Sequence, residues 1–201
     1  MKFSSLLTGA ALAASLLATG TVGAMAQGAP AAPPAPTDVS LIGDWTVRCY
    51  TVNSPNPCEM LYQIQDKNSG QRVLGVTIAF VPSANKHLLI VGVPLGVAIA
   101  KGLVIQTDAF TSPMLHYRRC DNAGCYVEMV LDNGTVDQIS HSGAKAAVKI
   151  VADSGKSFDL QLSLNGFSAA HDKMAELARQ KAKSPTQQID ASPPPAQAPT
   201  P

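Results

Sequence analysis

Cys49, Cys58, Cys120 and Cys125 are the residues of this chain best suited to chemistry. Their sulfurs can pair as disulfides or hold a metal ion as thiolates. Cys120 and Cys125 flank the tight Asp121-Asn122-Ala123-Gly124, and Cys49 and Cys58 bracket the Asn53-Ser54-Pro55-Asn56-Pro57 loop. Residues opposed beside a turn meet the short Cβ separation that a bond requires, so two local bonds, Cys49–Cys58 and Cys120–Cys125, are expected. The alternative joins Cys49 to Cys120 or Cys125. That long-range pairing would suit an immunoglobulin-type core, where a Trp lies near the inter-sheet bond as Trp45 lies near Cys49. A zinc site would recruit His116 beside Cys120 and Cys125, but the spacing fits no standard finger and offers no fourth ligand. No metal or cofactor site is expected.

Other catalytic signals are sparse. The chain has no Gly-x-Ser-x-Gly elbow and no His-Glu-x-x-His helix. Gly155-Lys156-Ser157 resembles the end of a phosphate loop, yet the position of its first glycine is Ile150, so a hairpin turn is expected there. His87, His116, His141 and His171 are scattered along the chain, and Ser140-His141-Ser142-Gly143 reads as a polar turn. Arg118 and Arg119 would point to opposite faces of a strand and form no patch. Asn133-Gly134-Thr135 fits a glycosylation acceptor, but its Asn-Gly is explained by a two-residue hairpin. No catalytic residue is expected, and the chain reads as a non-enzyme.

The elements that would carry these residues are short strands. Trp45, Val47 and Cys49 alternate with Thr46, Arg48 and Tyr50, and Cys58 to Ile64 and Leu74 to Phe80 follow the same period across a Lys67-Asn68-Ser69-Gly70 turn. Further runs cover 87–93, 103–108, 114–120, 125–131, 135–139, 147–152 and 158–164. Nine or ten short strands at near-regular spacing predict an antiparallel β-sandwich. One C-terminal helix follows, with Ser168 as its N-cap and Ala170, Met174, Leu177 and Ala178 on its apolar stripe. The stripe is narrow and lacks aromatic residues, so the helix is expected to pack on the sheets rather than enter a bilayer.

Outside this region the composition changes. Residues 1–26 carry Lys2, an apolar stretch from Leu6 to Leu17 and Ala24-Met25-Ala26, the pattern of a signal peptide cleaved after Ala26. Ten of the 15 prolines lie in a Pro/Ala-rich linker, 27–37, and a tail, 184–201, which read as extended spacers. The folded domain is expected at 38–183. With 15 Lys+Arg against 14 Asp+Glu, the chain is no polybasic nucleic-acid binder. No later segment is long and apolar enough to span a bilayer. A periplasmic or secreted protein is expected, since export and paired cysteines suit an oxidising compartment.

Gly43-Asp44-Trp45-Thr46-Val47-Arg48-Cys49, Cys58, Pro94-Leu95-Gly96-Val97, Cys120 to Cys125 and Leu162-Ser163-Leu164-Asn165-Gly166-Phe167 with Ala170 together resemble the invasion associated locus B family of bacterial envelope proteins. The resemblance spans about Leu41 to Leu177. It implies an immunoglobulin-like β-sandwich outside the cytoplasm, named for host-cell invasion, and brings no catalytic or ligand residues. The expected function is a non-enzymatic interaction module for an envelope or host protein, without nucleic acid. The alternative is a small-ligand carrier or enzyme with a pocket in the sandwich, drawing on residues such as His116, Tyr117 and Arg118. A pocket lined by converging His, Asp or Arg side chains would favour that alternative.

Overall fold

The computed structural model describes residues 34–51, 54–143 and 145–183. The leader 1–26, most of the linker and the tail 184–201 lie outside the described residues. Among those described, no helix is long and apolar enough to cross a membrane.

Period-two alternation builds the main sheet. In β2 (Trp45–Tyr50) the side chains of Trp45, Val47 and Cys49 are buried, while Thr46, Arg48 and Tyr50 are half-buried on the opposite face. Around it β1 (Pro36–Ile42), β3 (Cys58–Gln65), β4 (Arg72–Val81), β5 (Lys86–Val93), β7 (Arg119–Asp121) and β8 (Gly124–Leu131) complete a seven-stranded antiparallel sheet. Its order is β1-β2-β3-β4-β5-β8-β7, so the first five strands form a meander. A second antiparallel sheet has the order β10-β9-β6, from β6 (Leu103–Thr107), β9 (Lys145–Val151) and β10 (Ser157–Ser163).

The two sheets share a core. Trp45, Val76, Ile78 and Leu89 from the large sheet and Ile105 and Leu162 from the small one surround the same void of about 20 Å³. Helix α2 (Phe167–Lys183) closes the rest of that face, touching β1 to β4. Its Ala170, Met174 and Ala178 are fully buried at i, i+4 and i+8. Burying Met174 alone contributes about 1.5–3 kcal/mol.

Several local expectations are overturned. Asn133-Gly134 makes no hairpin, and no strand covers Thr135 to Ile139: the segment is α1 (Asn133–Ser140). Asp132 caps it by accepting the Thr135 N–H at 2.7 Å, and Val136 and Ile139 are buried three residues apart. An Asx cap plus an i, i+3 apolar pair outweighs the turn signal of Asn-Gly. The run 114–120 is a strand only from Arg119. Before that the chain crosses between sheets, with Leu115 exchanging backbone hydrogen bonds with Leu103 (2.8 and 2.9 Å) and the Arg118 N–H donating to the Tyr126 carbonyl (2.8 Å). Helix α2 starts at Phe167, so Ser168 lies inside the first turn instead of capping it. Strand β1 begins at Pro36, within the segment assigned to the linker.

Candidate functional site

The histidines are not scattered in space. His87 lies near the start of β5, where the odd-numbered residues face the core, and it is only 2% exposed. His171, in the second turn of α2, arrives from above. The two Nε2 atoms are 2.9 Å apart, and the ring centroids 4.9 Å. On its other side the His171 Nδ1 lies 3.1 Å from the Asp172 carboxylate. The Phe80 ring, paired in register with His87, sits 4.9 Å from the His87 ring and carries the Arg179 guanidinium 4.7 Å from its own centroid.

These groups open into a cleft of about 340 Å³ between α1, α2 and the start of β5. The α1 side supplies Asp137, Ser140 and His141, whose Nδ1 lies 2.9 Å from the Asp137 carbonyl oxygen at the helix C-terminus. Burial, and then the charges of His171 and Arg179, push the His87 pKa down to about 4. Its Nδ1 is buried, with no hydrogen bond of good geometry among the described residues. The cleft therefore combines a neutral buried imidazole, a second imidazole oriented by a carboxylate, and a cation. Among the described residues no three His, Cys, Asp or Glu side chains are grouped to hold a metal ion.

Of the residues named from sequence, His87, Asn133, Ser140, His141 and His171 come together at this cleft, while the cysteines and the His116–Arg119 group lie elsewhere. Cys49–Cys58 joins residues opposed in the β2–β3 register, and Cys120–Cys125 joins residues opposed between β7 and β8. Neither bond runs between the two sheets. His116 is exposed, Arg118 pairs with Glu128 at 3.1 Å, and Arg119 pairs with Asp121 at 2.7 Å while stacking over the Tyr126 ring. The Tyr117 hydroxyl is buried without a partner, and burial raises its pKa to about 12. These side chains do not line the cleft. Gly155 takes the positive φ of a turn, consistent with a hairpin rather than a phosphate loop.

A second feature is the open face of the large sheet. The small sheet and both helices bury their side chains against the Trp45 face. On the other face, register places Leu41, Thr46, Leu61, Thr77, Ile90 and Glu128 in one row across six strands. The next row contains Val39, Arg48, Glu59, Ala79, Leu88 and Val130. Val39, Leu41 and Val130 are 61%, 75% and 64% exposed.

The fold and its bonds define a two-sheet antiparallel β domain stapled by two disulfides, a class suited to an oxidising compartment outside the cytoplasm. A family model described as "Invasion associated locus B (IalB) protein" matches residues 45–175, and the chain belongs to that family. An invasion protein B homolog of Brucella abortus (strain 2308) is 28% identical over 137 residues, covering 68% of this chain and 78% of the relative. A homolog from Brucella abortus biovar 1 (strain 9-941) gives the same figures. The crystal structure of invasion associated protein B from Bartonella henselae matches with a TM-score of 0.61 at 21% identity, over 71% of this chain and 99% of that one. That likeness shows a shared fold.

The family motifs meet in space. The Asp44 N–H donates to the Asn165 carbonyl (3.1 Å), the Trp45 indole N–H to the Ser163 carbonyl (3.1 Å), and the Ser163 hydroxyl to the Asp44 carboxylate (2.6 Å). Phe167 meets Trp45 edge-to-face, with centroids 5.3 Å apart. Gly43-Asp44-Trp45 and Ser163 to Phe167 are thus two halves of one structural joint.

Proposed function

We propose that this protein is an exported, non-enzymatic interaction module, released by cleavage after Ala26, that binds an envelope or host protein across the open face of its large sheet. The observation carrying this reading is the pair of rows that keeps Val39, Leu41 and Val130 in solvent beside half-buried Leu61, Leu88 and Ile90. Val39 and Leu41 lie two residues apart on β1 and Val130 beside Leu88 at the other side of the face, with the Arg48–Glu59 pair between them. Exposed apolar patches rimmed by polar groups mark protein contacts. Family membership and the names of the Brucella relatives support a part in host-cell interaction. Two disulfides support a site of action in the periplasm or beyond it.

A second reading is favoured by one specific observation. His, Asp and Arg side chains converge on the 340 Å³ cleft, a volume in the range of small-ligand sites. A photo-crosslinking amino acid at Val130 and another at Ser140, in protein expressed in the native host, separates the two. Protein adducts at Val130 alone support the interaction face. Adducts with small molecules at Ser140, and none at Val130, overturn it in favour of a carrier.

A further inference from the structure

A ring-to-ring contact between two imidazoles depends on its proton count. A hydrogen bond across 2.9 Å needs one nitrogen with a proton and one with a lone pair. The neutral His87–His171 pair meets that need. A pair with one added proton also meets it, because His171 can donate from Nδ1 to Asp172 and from Nε2 to His87. A second added proton puts N–H groups on both facing nitrogens. The contact then becomes a repulsion between like charges, with the His87 ring buried.

Among the described residues no carboxylate bonds the His87 ring to neutralise that second proton. From α2, Asp172 reaches His171 rather than His87, and Arg179 adds positive charge. From α1, Asp137 and His141 lie at the exposed wall of the cleft, with the His141 ring near Asp137 itself. Asp132, at the end of β8, turns its carboxylate to cap α1, and Lys86, next to His87, is exposed and positive. Strand β4 contributes Phe80, and β8 the backbone of Leu131, which only weakly favours a charged ring.

We propose that the His87–His171 contact is an acid-released latch, holding α2 on the large sheet near neutral pH and letting it go when both rings are protonated. Release would uncover the apolar surface formed by Phe167, Ala170, Met174 and Ala178 and the sheet beneath them. This inference depends on neither reading of the preceding subsection. The low pKa of His87 agrees with it. The unfolded ring binds a proton near pH 6.5 and the folded ring only near 4, so this group's contribution to stability falls as pH drops through that window.

Hydrogen–deuterium exchange on the oxidised full chain tests the latch, with rates corrected for the intrinsic effect of pH. Between pH 7 and pH 4, peptides of α2 should lose protection by roughly tenfold more than peptides of β3 and β4. In His87→Phe, whose ring can stay against Phe80, that excess loss should disappear; His171→Gln should also reduce it and serves alone if the first variant does not fold. The proposal is overturned if α2 is as protected at pH 4 as at pH 7. It is equally overturned if α2 and the strands open together, or if the folded variants keep the full acid response.

Discussion

Gly43 and Gly166 face each other backbone to backbone, both at positive φ (58° and 80°), at the joint where the β1–β2 turn meets the loop into α2. A Cβ on Gly43 would run into the Asn165 carbonyl, and one on Gly166 into the Ile42 carbonyl. Either Gly→Ala change should therefore cost at least ~2 kcal/mol, combining left-handed strain with a backbone clash. Gly70 and Gly155 share the positive φ but have open space where a Cβ would go. Alanine there should cost only about 1 kcal/mol. Denaturant unfolding of the four variants checks the contrast, and equal losses at all four sites would remove the joint as their explanation.

The disulfides give a second expectation. Non-reducing peptide mapping should link Cys49 to Cys58 and Cys120 to Cys125. Replacing Cys120 and Cys125 together by Ala should leave a folded protein, less stable by ~2 kcal/mol, since the closed loop is short. A map joining Cys49 to Cys120 or Cys125 would contradict the β7–β8 clamp.

Asp132 holds the start of α1 through the Thr135 N–H, and that bond keeps its carboxyl below the usual carboxylate range. Asp132→Ala should lower amide protection in α1 several-fold while β4 and β5 stay protected. The same local fraying should follow in wild-type protein as the carboxylate is protonated in acid. Unchanged protection in α1 would mean that the buried Val136 and Ile139 suffice to hold it.

Tyr117 carries a buried hydroxyl without a partner. Tyr117→Phe removes that unpaired group and should be neutral to ~1 kcal/mol stabilising. The folded ring keeps its proton up to about pH 12, whereas the unfolded ring loses it near 10, so stability falls as pH rises through that interval. Ultraviolet titration should show a late-ionising step that Tyr117→Phe removes, while Tyr50, raised by burial and its bond to Glu59, still ionises above the usual tyrosine range.

Where one face of an element is buried, the sequence already displays it. Trp45, Val47 and Cys49 reveal β2 because period-two burial leaves a local trace. Ala170, Met174 and Ala178 reveal α2 for the same reason at period 3.6. Strand β1 escapes because Val39 and Leu41 face solvent on a sheet edge, so its alternation does not mark a buried face. Helix α1 escapes because Asp-Asn-Gly satisfies two local rules at once, and the choice rests on core space for Val136 and Ile139. His87 and His171 are 84 residues apart in sequence. The nearness of two residues at that separation is a property of how α2 docks, which no window of sequence contains.

The order of assembly follows from the meander. Strands β1 to β5 each pair with the next in sequence, so a chain emerging N-terminus first can zip them in turn through short loop closures. The small sheet and α2 follow from distant sequence, and Trp45 waits 118 residues for Ser163 to receive its indole N–H. Until then the apolar face of the growing sheet has no lid. Truncations that remove α2 should therefore yield aggregating sheets, because the last described element to be made is one that covers the first strands.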